Sequence, residues 1–195
     1  SAKMKTSAIL TMTTKETTMS NLDMMQPRVV LPREVLEKIM YFVHKAGTKE
    51  VSGLGVTEVV GSDIIVRDIL MAKQSNSGAS TDMDGDSIAE LLFKFHSKYP
   101  DLEANYWWHS HASMGVFWSG TDKATIAQIA GAGMCVATVF NNKRENLTAV
   151  AAMKPFPFFI DKIQLAVDPF VPSEEVKNAW DAEYDSNIKK HTHWS

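Results

Sequence analysis

The chain has 195 residues, enough for one domain with a substantial core, and its 45% hydrophobic and 22% charged composition is ordinary for a globular protein. A formal net charge of −3 without any Lys/Arg cluster argues against nucleic acid as a partner, and no apolar run approaches the roughly 20 residues that cross a bilayer. The single cysteine, Cys135, excludes an internal disulfide and a Cys-rich zinc site. Set in Met134-Cys135-Val136-Ala137, it reads as a buried small residue, and a cytoplasmic, reducing location is expected.

Residues 1–27 read as a flexible N-terminal arm. Ala8-Ile9-Leu10 is too short for the apolar core of a signal peptide, about 7–15 residues, and Thr11 to Thr18 is polar and threonine-rich. Residues 28–195 read as a single domain. Val29-Val30-Leu31 predicts a short strand, and Pro32 stands where a helix can start. Leu36, Ile39, Met40 and Val43 then recur at helical spacing until Gly47 ends the segment. An extended segment follows Glu50, and Gly61-Ser62-Asp63 predicts a hairpin turn into a strand reaching about Met71. The polar stretch 73–86 has no periodicity and is expected to be a long loop.

A second helix is predicted over 87–99, with Ile88, Leu91, Leu92 and Phe95 on one face and Pro100 beyond its end. Residues 105–109, Asn-Tyr-Trp-Trp-His, predict a strand whose alternation sends Trp107 and Trp108 to opposite layers. A third helix follows Ser119, with Ile126 and Ile129 inward. Strands are expected over 135–140 and 147–153, around the turn 141–144, and another over 158–167. A C-terminal helix starts at Pro172 with Ser173 as its N-cap. Its Val176, Trp180 and Tyr184 serve either self-association, which leaves a homo-oligomer open, or the more common packing on the helix's own domain. The mixture of strands, hairpins and helices predicts an α+β fold with a central, mixed, mostly antiparallel sheet and helices packed on it.

Chemistry concentrates between residues 109 and 122. His109 and His111 stand two apart, so at the end of a strand both imidazoles face one side and can share an ion. Asp122 adds a hard oxygen from the start of the next helix. Three protein ligands leave one position of a tetrahedral zinc site open, the mark of catalytic rather than structural zinc. The ligand set by itself also suits non-haem iron. Ser119-x-x-Asp122 is at the same time a helix-capping signature, and both readings can hold together. From this composition, His-x-His-x7-Ser-x2-Asp arises by chance about once per thousand such chains.

That string, His109-Ser110-His111, seven residues, Ser119, two residues, Asp122, resembles the signature of the JAMM (MPN-plus) zinc metalloproteases, which cut ubiquitin or ubiquitin-like proteins from their conjugates. Glu50, in Glu50-Val51-Ser52-Gly53-Leu54-Gly55, matches the family's upstream glutamate. The resemblance spans about residues 29–153 and is nearest to small prokaryotic or phage-type single-domain members. It implies a cytidine-deaminase-like MPN fold, α/β/α-like with a curved sheet flanked by helices, and one Zn²⁺ per chain held by His109, His111 and Asp122. It implies Glu50 as the proton-transferring base and Ser119 as the donor to a developing oxyanion. The expected partner is the C-terminal tail of a ubiquitin-like or sulfur-carrier protein, with no nucleic acid and no membrane. Many members carry proline after the second histidine where this chain has Ala112, which leaves the ligands intact but opens the path of the loop 112–118.

Other readings stand beside it: a cell-wall or phage-tail-associated peptidase, and a non-catalytic MPN scaffold. Glu50 alone would pass for a solvated carboxylate at a strand edge. Ser110, between the two ligands, should point away from them into a structural hydrogen bond. His44 and His96 read as surface residues, and His191 and His193 as part of a frayed tail. Met114 and Trp118 are candidates for the wall of a peptide groove.

Overall fold

The computed structural model of the chain describes residues 28–76, 81–83, 85–154, 157–167 and 171–188. The arm expected over 1–27, and His191 and His193, lie outside them. Among the described residues the strands are β1 (Arg28–Val30), β2 (Ser52–Val60), β3 (Asp63–Met71), β4 (Gln74–Asn76), β5 (Thr81–Met83), β6 (Glu103–Ser110), β7 (Met134–Phe140), β8 (Asn146–Ala152), β9 (Phe158–Ile160) and β10 (Leu165–Ala166). The helices are α1 (Arg33–Ala46), α2 (Gly85–Lys98), α3 (Gly120–Ala130) and α4 (Glu174–Asn187). None of these helices is long and apolar enough to cross a membrane.

Eight strands form one sheet in the order β10-β1-β3-β2-β6-β7-β8-β9. The pairs β2–β3, β2–β6, β7–β8 and β8–β9 are antiparallel, while β1–β10, β1–β3 and β6–β7 are parallel. The sheet curls strongly. The Ile163 N–H donates to the Thr148 carbonyl of β8, and the Val29 N–H of β1 donates to the carbonyl of the next residue, Gln164. Two consecutive residues therefore reach opposite ends of the strand order. The single strand expected over 158–167 is thereby corrected to two short ones, each with its own neighbour.

The aromatic pair in β6 shows how the layers are built. Trp108 and Tyr106 join α1 residues Val35, Ile39, Phe42 and Val43, with Trp180 of α4, in one core. Trp107 turns the other way and packs with Leu54, Leu91, Phe95, Ile126 and Cys135 beneath α2 and α3. Helices thus cover both faces of the sheet, as the α+β reading expected. Trp180 packs on Tyr41 at 5.6 Å between ring centroids, so α4 uses its apolar face within its own domain. Cys135 is buried, and burial pushes its thiol up to about 12, which leaves it inert at neutral pH.

Glycines in β2 make room for the aromatics. Gly53 pairs with Trp108 and Gly55 with Tyr106 across the β2–β6 ladder. A Cβ on Gly53 would lie 2.2 Å from the Leu70 carbonyl oxygen and 2.7 Å from Trp108 Nε1. Because the first of these is backbone, no rotamer change relieves it. Gly53→Ala is expected to cost about 3 kcal/mol, the upper end of the overpacking range, read as a lower denaturant midpoint with unchanged slope.

The stretch 73–86 is not one long loop. Gln74–Asn76 and Thr81–Met83 pair as a separate antiparallel hairpin, and α2 already begins at Gly85. Its polar residues hid this hairpin, because no alternation of apolar and polar residues marks either short strand in the sequence.

Candidate metal centre

β6 delivers His109 on the α3 side of the sheet, one residue past Trp108 and in line with Trp107. The Trp107 and His109 rings stack at 4.2 Å with planes 12° apart. Ser110 faces the opposite layer, where its hydroxyl accepts from the Val51 N–H at 3.1 Å, as expected of a structural serine. His111 lies just beyond the strand, and its Nδ1 sits 3.2 Å from the Gly115 carbonyl.

Asp122 arrives by a different route. Ser119 is the N-cap of α3: its hydroxyl accepts from the Asp122 N–H at 3.1 Å, and the Asp122 carboxylate accepts from the Ser119 N–H at 2.8 Å. This reciprocal capping box fixes the carboxylate before any ion is considered, and the positive end of the helix dipole favours its charge. The capping and ligand readings of Ser119-x-x-Asp122 are therefore compatible. Ser119 spends one lone pair on the cap and keeps its O–H to donate elsewhere.

The three side chains converge and are all buried. His109 Nε2 and His111 Nε2 are 3.2 Å apart; His109 Nε2 lies 3.2 Å from Asp122 Oδ1 and His111 Nε2 lies 3.4 Å from Asp122 Oδ2. Tetrahedral zinc with bonds of about 2.05 Å needs adjacent ligand atoms about 3.3 Å apart. An octahedral ion with bonds of about 2.1 Å needs about 3.0 Å. The donor set and its spacing fit a metal ion. Among the described residues, His109 Nδ1 is buried without a hydrogen-bond partner, as is the hydroxyl of Ser52, its register partner across β2–β6.

Charge is arranged accordingly. Burial works to raise the Asp122 pKa, but hydrogen bonds from His109 and His111 outweigh it and hold the carboxyl well below the usual range. Burial lowers His109 and outweighs its bond to Asp122. Burial also works to lower His111, but Asp122, the Gly115 carbonyl and the charges of Asp122 and Glu50 together raise it. On acidification His111 should then compete first as a proton acceptor, ahead of His109. Metal affinity is expected to be flat above the His111 pKa and to fall about tenfold per pH unit below it. The slope should steepen only where His109 begins to protonate. Metal titration against a chromophoric chelator over a falling pH series measures it; a two-proton slope from the first loss of affinity would refute the assignment.

Glu50 comes from the segment just before β2. It is buried, and its pKa is raised chiefly by that burial, with Asp122 pushing the same way and His111 opposing. Among the described residues its carboxylate takes no hydrogen bond, which distinguishes it from a salt-bridged surface acid. The structure thus groups His109, His111 and Asp122, ties Ser119 to Asp122 by hydrogen bonds, and sets Glu50 where its charge acts on His111 and Asp122.

The loop 112–118 holds the mouth of the site. Ala112 has φ +48°, and the Met114 N–H donates to the His111 carbonyl at 2.9 Å, closing a tight turn. A proline ring fixes φ near −65° and cannot take that conformation. Alanine at this place thus goes with a backbone path closed to proline. Ala112→Pro should displace His111 and lower metal affinity about ten- to hundredfold, the usual cost of disturbing a ligand's support, by the same titration.

Asn141 holds this loop from the other side, and sequence reasoning missed it. Its Nδ2 donates to the Met114 carbonyl at 2.9 Å while its Oδ1 accepts from the Lys143 and Glu145 N–H groups; the Asn142 N–H donates to Ala112. The Asn-Asn pair in a hairpin turn was the available signal. Met114 and Phe117 are exposed beside the site, and Phe117 lies 4.7 Å from the His111 ring. Trp118 is half-buried, 6.0 Å from His109 and 6.4 Å from Phe159. His96 is exposed, as expected of a surface residue, and His44, also exposed, lies 3.1 Å from the Asn142 carbonyl.

No protein-family model matches the chain, and no curated protein matches it at a significant level. Among solved structures, the chain is similar to the solution structure of protein DSY2949 from Desulfitobacterium hafniense, with a TM-score of 0.54 and 12% identity over 73% of this chain and 94% of that one. At that identity the likeness concerns the fold alone.

Proposed function

We propose that this chain is a zinc-dependent peptidase or isopeptidase of the JAMM type, acting at the C-terminal tail of a ubiquitin-like or sulfur-carrier protein. The observation that carries the proposal is the buried group His109, His111 and Asp122 with a buried glutamate, Glu50, whose charge acts on His111 and Asp122 and which takes no hydrogen bond or ion pair among the described residues. Imidazoles and a carboxylate 3.2–3.4 Å apart suit a metal, but a metal site alone has many uses. A carboxylate of raised pKa beside it, free of salt bridges, suits proton transfer.

Zinc bound there would polarise a carbonyl and bring the pKa of water to about 7. Glu50 takes a proton from water and returns it to the departing amine, which prevents reversal of the cleavage. The Ser119 hydroxyl donates to the oxygen that gains charge as the carbonyl carbon becomes tetrahedral. The α3 cap holds that hydroxyl's oxygen in place, so its orientation costs nothing at the moment of reaction. Burial of His109 under Trp107 keeps that imidazole neutral and available as a ligand.

Metal analysis of purified protein, paired with a panel of ubiquitin-like fusions ending in Gly-Gly, tests this. One zinc per chain and release of the fusion partner at the tail are expected. Absence of zinc after metal-replete expression would overturn the metal assignment. Zinc with no cleavage of any fusion would overturn the substrate, leaving a cell-wall-type peptide or a scaffold role as the better reading.

A further inference from the structure

The backbone around Glu50 is held in an unusual way. The β2–β3 ladder ends at the pair Gly53–Met71, so Ser52 has no residue of β3 beside it. The chain has already left β3 and turned toward the β4–β5 hairpin. In place of the missing strand residue stands a side chain. Gln74 Oε1 accepts from the Ser52 N–H at 2.9 Å, and Gln74 Nε2 donates to the Ser52 carbonyl at 2.9 Å. This is the reciprocal exchange that two opposed residues make in an antiparallel ladder. Nε2 also donates to the Ala72 carbonyl at 2.7 Å. Two carbonyls and one N–H fix which end of the amide is oxygen, since the flipped form would set oxygen against oxygen twice.

Gln74 is fully buried and itself anchored: its backbone pairs with Met83 in the hairpin and bridges to Ile188 after α4. On its other side, Ser52 pairs with His109, and the Val51 carbonyl accepts from the Ser110 N–H at 2.8 Å. The two residues that follow Glu50 are therefore clamped, Val51 by β6 and Ser52 between β6 and one glutamine side chain.

We infer that Gln74 is a positioning residue for Glu50, acting through the main chain of Ser52; the role rests on the reading of Glu50 proposed above. Gln74 touches none of the reacting groups. It registers the Glu50 segment against the metal ligands, and it links that segment to the base of the β4–β5 hairpin.

The test uses the full chain loaded with zinc. In the wild type, the Ser52 amide should exchange as slowly as the central amides of β2; fast exchange there would overturn the inference without any variant. Gln74→Met keeps the volume and removes all three bonds, and Gln74→Glu keeps the shape but removes both donors. In each, exchange at Ser52 should rise at least about tenfold, with zinc content unchanged. On the fusion that wild type cleaves, kcat should fall about tenfold or more with little change in KM. Thr148→Val removes the buried hydroxyl contact to Thr138, far from Ser52, and should leave kcat unchanged. Wild-type kcat in either Gln74 variant, or an equal loss in Thr148→Val, would overturn the inference. If wild type cleaves no fusion, the proposed activity fails while the exchange measurement still decides whether Gln74 holds Ser52.

Discussion

Glu50→Gln is expected to leave zinc content and thermal stability at wild-type values while hydrolysis falls by about 10²–10⁴-fold, the usual contribution of a positioned acid–base group. The separation arises from the surroundings of Glu50. Its carboxylate makes no hydrogen bond among the described residues, so an amide of the same shape breaks nothing in the fold. A single-turnover assay with zinc-loaded protein measures the effect. Retention of hydrolysis would remove Glu50 from the role of base and direct attention to a substrate group.

Loss of a metal ligand should be more severe. His109→Ala and Asp122→Asn are both expected to abolish stoichiometric zinc binding and, with it, all hydrolysis. Asp122→Asn and Asp122→Ala should nevertheless differ in stability. An asparagine oxygen can still accept from the Ser119 N–H and keep part of the α3 cap. Alanine loses that bond and should lower stability by a further 1 kcal/mol or so, the usual worth of an N-terminal cap. Metal analysis with thermal unfolding of the two metal-free proteins separates ligand from cap. Equal stability of the two would mean that the carboxylate contributes nothing to the helix start.

Legibility from sequence followed contact range. The ligands His109, His111 and Asp122 fall within one strand, one loop and one helix start, so local geometry nearly dictates their meeting. The alternation of Trp107 and Trp108 and the spacing of Leu36, Ile39, Met40 and Val43 likewise carried their own layer assignments. Glu50 was different. Nothing local marks it as other than a surface acid, and it entered through a family resemblance. Its place beside the ligands depends on the pairing of Ser52 with His109 across two strands far apart in sequence. Gln74 gave less still, because a buried amide serving the distant Ser52 backbone looks like any polar loop residue, and Asn141 showed only its turn, not its reach to the Met114 carbonyl. The two strands within 158–167 were invisible for a related reason: their division depends on which distant strand each half meets.

That divided segment has a consequence for the behaviour of the folded chain in concentrated solution. A sheet of eight strands ordinarily ends in two rows of unpaired N–H and C=O groups, and such rows recruit strands from other molecules. Here the outermost strands, β9 and β10, are three and two residues long and are joined through residues 161–164. Neither is long enough to template a partner. Phe158, Phe159 and Ile160 are exposed, a sequence that would be an aggregation hazard on a long flat strand. Curling the sheet until its ends share one short segment confines that hazard to a single turn of chain.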